Sequence, residues 1–298
     1  MYSGVLVGLL AAFFQSISYL CTRIFVKIHG NDIVTLFALS HIIMGIISVP
    51  LAILLLPEKM PELSSYIWVL LSSSIFYLLG QLFLFSALAK SEPSRVSMLL
   101  GLKIFMLAII GFVFLHQGLS FYKWMAVILS SCSIMMLSGS GKKMDLFSFI
   151  FVMLACFSYC FSDLSIKALI NNFIYIGVFR GAVLSSSLCY ILCGFFGLFL
   201  LLLKPHRITK ETWLYSLPFA VSWFIAMIFL FSCFAMVGVV FGSILQSTRG
   251  IMSIVLGYLI SNFGFEILET KITKKVFVLR ILAAILMTGA IALFYYSK

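Results

Sequence analysis

Charge is scarce in this sequence. Only 10% of its 298 residues are Asp, Glu, Lys or Arg, where a soluble domain carries about a quarter. With 63% hydrophobic residues and a mean hydropathy of +1.20, the chain cannot cover a water-facing surface, which excludes a soluble globular protein. Catalytic signatures are missing too. The four histidines, His29, His41, His116 and His206, fall in no Ser/His/Asp order and no HExxH pattern. The segment GSGK at Gly139–Lys142 lacks the spacing of a nucleotide-binding loop. We therefore expect no enzyme, no nucleotide hydrolysis, no cofactor and no metal. Zinc has no matching cluster: the seven cysteines all lie in apolar runs, and Cys156/Cys160 and Cys189/Cys193 have the i,i+4 spacing of helix packing. A basic leader and a small-residue cleavage site are absent before the first run, so it reads as a retained helix.

What is present is a succession of apolar runs. A membrane-spanning helix needs about 20 such residues. The runs predict ten spans: Ser3–Thr22, Ile33–Leu56, Tyr66–Ala89, Arg95–Leu115, Phe121–Ser138, Leu146–Leu169, Phe173–Leu203, Thr212–Val237, Val239–Phe263 and Thr273–Tyr296. Together with short turns they use the whole length. Bases outnumber acids, 20 to 9. They sit mainly in the short connections, the pattern of cytoplasmic loops rather than of a nucleic-acid surface, so no nucleic-acid partner is expected.

The stretch SGSGKKMD at Ser138–Asp145 marks the midpoint and prompts a search for a repeat. Leu82–Ala89 reads LFLFSALA and Ile228–Ala235 reads IFLFSCFA, a shift of 146 residues. At that shift Ser97 meets Ser243, Lys103 meets Arg249, Gly111 meets Gly257 and Tyr77 meets Trp223. Near the start of each half the shift is 144, and Ser18 meets Ser162, Leu20 meets Leu164 and Arg23 meets Lys167. The expected fold class is all-α integral membrane, ten transmembrane helices in two five-helix repeats, residues 1–140 and 143–298. An odd number of spans per repeat inverts the second relative to the first, as in secondary transporters whose site lies between the repeats at the midplane.

Ten spans, two five-helix halves and this length resemble the drug/metabolite transporter superfamily, in its ten-helix EamA-type branch. In that family the fourth and ninth helices often end in Glu, one residue, Leu, then Ser or Thr. Gln117-Gly118-Leu119-Ser120 is a loose copy, and Glu269-Thr270-Lys271-Ile272-Thr273 is another with one inserted residue. Many members also carry a proline midway along these helices, where this chain has Lys103-Ile104 and Arg249-Gly250. The resemblance implies secondary transport of small molecules, and its sugar-phosphate branch places bases in the corresponding helices.

Lys103 and Arg249 fall near the middle of their runs, where a charge costs about 2.5–3.5 kcal/mol on insertion scales. Such residues face a wet or paired environment. In an inverted pair both approach one central cavity, where two cations favour a carboxylate or phosphate. Arg249 can fork onto an oxyanion and Lys103 cannot, so Arg249 is the better direct ligand. Gln246 and Ser97 make their turns polar, and Tyr19, Tyr77 and Trp223 supply aromatic walls for a planar substrate, or simple packing. Asp163 is the acid within a span. It either pairs with Lys167 four residues on, neutralises Arg249, or carries a coupled proton.

The expected function is a secondary transporter of a small metabolite bearing a carboxylate or phosphate, anionic or zwitterionic, multi-pass in the inner (plasma) membrane. The alternatives are a flippase for a lipid-linked or polyprenyl-phosphate substrate, a non-transporting scaffold whose buried charges pair off, and a proton-driven exporter of cations resting on Asp163. Most bases fall on the face opposite the termini, which the positive-inside rule assigns to the cytoplasm, whereas the family habit is termini inside.

Overall fold

The computed structural model describes residues 2–30, 32–88, 99–114, 118–138, 145–203, 208–252, 256 and 274–296. Ten α-helices are described and, among the described residues, no strand: α1 (Tyr2–His29), α2 (Ile33–Leu55), α3 (Leu63–Leu88), α4 (Lys103–Phe114), α5 (Phe121–Ser138), α6 (Leu146–Phe173), α7 (Val178–Leu203), α8 (Lys210–Val237), α9 (Val239–Ser247) and α10 (Lys274–Tyr296). Helix is what long apolar runs must adopt where no water is available for backbone N–H and C=O groups. Six of them, α1, α2, α3, α6, α7 and α8, are long and apolar enough to cross a membrane. Their outer faces agree with that: Leu54, Trp68, Phe195 and Leu202 are large, apolar and exposed, a surface suited to lipid.

Helix starts follow local chemistry. Asp32 caps α2 by accepting from the Thr35 N–H at 3.3 Å and the Thr35 hydroxyl at 2.6 Å. Asp145 caps α6 through the Ser148 N–H at 3.2 Å. Thr209 and Thr212 form a reciprocal capping box at the start of α8. The run expected as one span from Phe173 to Leu203 is instead divided. A 3₁₀ turn at Ile174–Ile176 leads to Gly177, whose φ of +106° breaks the helix before α7. Gly238, at φ +83°, separates α8 from α9 in the same way.

The helices pair in a fixed pattern. α1 lies along α8, α3 along α6, α2 along α7 and α5 along α10. The short helices α4 and α9 touch each other, α4 also packing on α6 and α9 on α1. Exchanging α1–α5 with α6–α10 in order maps this set of pairs onto itself: α1–α8 exchanges with α3–α6 and α4–α6 with α1–α9, while α2–α7, α5–α10 and α4–α9 each map onto themselves. The crossing of α2 and α7 carries the same relation in atomic detail. A methyl added to Gly45 would lie 3.0 Å from Gly194 Cα and 3.2 Å from Tyr190 O; one added to Gly194 would lie 3.0 Å from Gly45 Cα and 3.2 Å from His41 O. Glycines let these two backbones touch, a device membrane helices use in place of a hydrophobic driving force. Between α3 and α6, polar links do the joining: Ser72 to Ser165 hydroxyls at 2.8 Å, and Ser162 hydroxyl to Ser73 O at 2.9 Å.

Candidate functional site

A cavity of about 70 Å³ lies where α1, α3, α4, α6, α7, α8 and α9 converge. At roughly 10–15 Å³ of such space per water it holds about five waters or one small molecule. Arg249, Lys103, Gln246, Tyr77, Trp223, Tyr19 and Asp163 all line it. The eighth residue singled out from the sequence, Ser97, lies outside the described residues.

Lys103 begins α4 directly after a 3₁₀ turn at Leu100–Leu102. Its Nζ lies 2.7 Å from Asp163 Oδ2 on α6 and 2.9 Å from Gln246 Oε1 on α9. The two charged side chains are only 10% and 8% exposed. The i,i+4 pairing of Asp163 with Lys167 expected from the sequence is thus replaced by a pairing across helices. Lys167 Nζ instead donates to Ala235 O at 3.1 Å. The reason is environmental: Lys103 is buried on the cavity wall beside Asp163, where an uncompensated charge is costly, while half-buried Lys167 reaches a carbonyl near the end of α8.

Arg249 follows a second irregularity. The chain turns at Thr248, whose N–H bonds Leu245 O at 3.1 Å, and is helical again from Arg249 to Met252. Ser16 of α1 holds this turn by donating to Arg249 O at 2.9 Å. The guanidinium sits over the Tyr19 ring, 5.8 Å from its centroid, and Nη1 donates to Gln15 Oε1 at 3.3 Å. Among the described residues no carboxylate pairs with it. Both bases therefore stand beside a break in a helix, and broken helices are the kind of element that lines transporter sites.

Residues that sequence reasoning passed over complete the walls. Gln15 is fully buried and its Nε2 has no partner among the described residues. The orientation of this amide follows from chemistry: Arg249 can only donate, so Gln15 must turn its oxygen to it and leave the NH₂ free. Tyr159 also presents a buried hydroxyl, unpartnered among the described residues, on the cavity lining. Tyr77 and Trp223 are not a stacked pair. Both meet Tyr190, whose hydroxyl accepts from Trp223 Nε1 at 3.0 Å and whose ring centroid lies 6.1 Å from that of Tyr77. Behind Tyr77, His41 is buried in α2. Its Nδ1 lies 2.7 Å from Phe37 O, a pure acceptor, so Nδ1 carries hydrogen; neutral Nε2, 3.1 Å from Tyr77, then accepts from the phenol.

A signal for some of these residues was available. At the 144-residue shift, Tyr19 meets Asp163 and Gln15 meets Tyr159. The contact of Lys103 with Asp163 thus has a counterpart in the contact of Arg249 with Tyr19. One position holds an ion pair and the other a cation over a ring.

Residues 2–139 match the model of the EamA-like transporter family. The EamA match spans α1 to α5 and so includes Tyr19, Tyr77 and Lys103. It supports a membrane transporter of small molecules and carries no indication of catalysis. No curated protein matches the sequence. Chains of solved structures do match, 29 in all. One crystal structure of a protein, 14% identical, aligns over 98% of this chain and 97% of its own with a TM-score of 0.72, a likeness of fold.

Proposed function

We propose that this protein is a multi-pass secondary carrier of the inner (plasma) membrane, built from two inverted five-helix repeats, residues 1–140 and 143–298, that cross the bilayer ten times. A small metabolite bearing a carboxylate or phosphate binds between the repeats. The observation that carries this reading is the meeting of Lys103 and Arg249, which a 146-residue shift brings into register, on one small cavity whose mainly apolar, aromatic walls carry a few polar groups. The exchange symmetry of the helix packing supports the repeat, and the Gly45–Gly194 contact supports a two-fold axis running through the α2–α7 crossing.

In the carrier reading Arg249 attracts the negative group, and the aromatic walls of Tyr19, Tyr77 and Trp223 enclose the rest. Asp163 holds Lys103 and sets the charge balance. Because Lys103 belongs to one repeat and Asp163 and Gln246 to the other, their bonds are placed to report or resist a rocking of the repeats, which would open the cavity to each side in turn. A scaffold would pair off its buried charges. The Lys103–Asp163 bridge fits that description, but Arg249 and the space beside it do not. The test is uptake of labelled amino acids, organic acids and phosphorylated metabolites into vesicles holding purified protein. Wild type should carry at least one anionic compound and Arg249→Ala should not. Equal transport by both would overturn the assigned role.

A further inference from the structure

Three formal charges face the cavity among the described residues: Lys103, Asp163 and Arg249. Their sum is one positive charge. Lys103 is engaged, with Asp163 Oδ2 at 2.7 Å and Gln246 Oε1 at 2.9 Å. Arg249 is not engaged in the same sense. Of its five N–H donors, one meets a neutral amide oxygen at 3.3 Å and the cation rests on a ring face. Beside it, the fully buried Gln15 offers an NH₂ that is unpartnered among the described residues. Donors thus converge on one side of the cavity with a neutral amide oxygen as their acceptor and, among the described residues, no carboxylate within ion-pair distance, while Lys103 has both an amide oxygen and a carboxylate.

We infer that the cavity takes a ligand of one net negative charge, whose carboxylate-type group docks on Arg249 and the Gln15 NH₂ while Lys103 stays with Asp163. This rests on the carrier reading above and narrows its substrate class. A dianion would leave one negative charge uncompensated in a poorly solvated site, and a neutral or zwitterionic ligand would leave Arg249's positive charge unbalanced; either costs more than a match. The geometry favours a carboxylate because a guanidinium and an adjacent amide NH₂ present several donors to two oxygens. The small volume calls for a ligand of a few heavy atoms or a cavity that widens around it.

The charge balance makes an ordered prediction. Asp163→Asn raises the cavity to two positive charges; Lys103→Gln lowers it to none. Purified protein would be titrated with five small probes: lactate, alanine and lactamide, of six heavy atoms each, and the larger dianions succinate and glycerol 3-phosphate. The readout is the concentration dependence of the thermal unfolding shift. In wild type lactate should bind about tenfold or more tightly than each of the others, the factor expected of one charge-assisted hydrogen bond. In Asp163→Asn the lead should pass to succinate or glycerol 3-phosphate, and in Lys103→Gln to alanine. Arg249→Gln should remove the preference for lactate. If a substitution prevents folding, the wild-type ranking stands as the test. Succinate ahead of lactate, or alanine equal to lactate, in wild type overturns the single-charge inference and leaves the carrier intact. Folded protein that binds none of the five, and transports none of the wider panel, overturns both.

Discussion

Asp163→Ala is the substitution whose cost the structure defines best. At 2.7 Å and an effective dielectric of about 20, the Lys103–Asp163 attraction is roughly 6 kcal/mol. Removing two ions from water costs several kcal/mol each, so the intact bridge contributes little net stability. Removing one partner is another matter. The Lys103 ammonium would keep only Gln246 Oε1 at 2.9 Å and whatever water the cavity admits. Buried ammonium groups stripped of their counter-ion cost about 3–5 kcal/mol in soluble proteins. Polar contacts within membranes are often weaker, because the unfolded chain also finds partners there. About 3 kcal/mol is the figure we expect. Lys103→Met combined with Asp163→Leu removes both charges together and should cost under about 1 kcal/mol. Gln246→Leu, which removes a single neutral acceptor, should cost about 1 kcal/mol. Denaturant unfolding of detergent-solubilised protein, followed by tryptophan fluorescence, gives these costs, and Lys103→Met and Asp163→Leu measured singly complete the cycle with their double. If Asp163→Ala costs less than about 1 kcal/mol, or the double substitution costs the sum of the singles, the bridge is not the buried, mutually dependent pair described here.

Three further outcomes follow from other contacts. Gly194→Val puts side-chain atoms against the backbone of α2, where even one carbon lies 3.0 Å from Gly45 Cα; a loss of about 1–3 kcal/mol or failure to fold is expected, checked by the same unfolding assay. Tyr19→Phe keeps a ring beneath Arg249 and should leave lactate binding close to wild type, whereas Tyr19→Leu should weaken or misplace the cation by about 0.5–2 kcal/mol, read as a change in lactate affinity. His41→Phe removes the ring nitrogen 3.1 Å from the Tyr77 hydroxyl and should cost about 1 kcal/mol of stability, part of it restored when Tyr77→Phe is added, since both partners are then apolar.

Much of the helix pattern was open to reading in the primary structure, because a bilayer core allows an apolar run little else than helix. The start of α2 at Ile33, both limits of α5, and the Gly238 break between α8 and α9 follow directly from composition and turn residues. The division of Phe173–Leu203 was harder. Gly177 lies in an unbroken apolar run, and only its positive φ marks it as a break rather than a packing glycine. The placement of His41 was hard to read for a related reason: a lone polar residue in an apolar helix looks the same whether it faces a cavity, a partner or nothing, and Gln15 is marked only by meeting Tyr159 at the 144-residue shift.

The sequence by itself determined that this chain belongs in a membrane, that it is helical, and that a shift of 146 residues brings Lys103 onto Arg249. These properties depend on the order and chemistry of residues along one strand of chain. Which charge meets which was decided only by the tertiary structure. Lys103 could have met the nearest acid or none; packing of α4 onto α6 and α9 set it against Asp163 and Gln246, 60 and 143 positions away. The same packing set Arg249 over Tyr19, where the counterpart of Asp163 is a ring instead of an acid. Coulomb energy falls with distance through space and takes no account of distance along the chain, so which of the two cavity bases takes the carboxylate, among the described residues, depends on the fold.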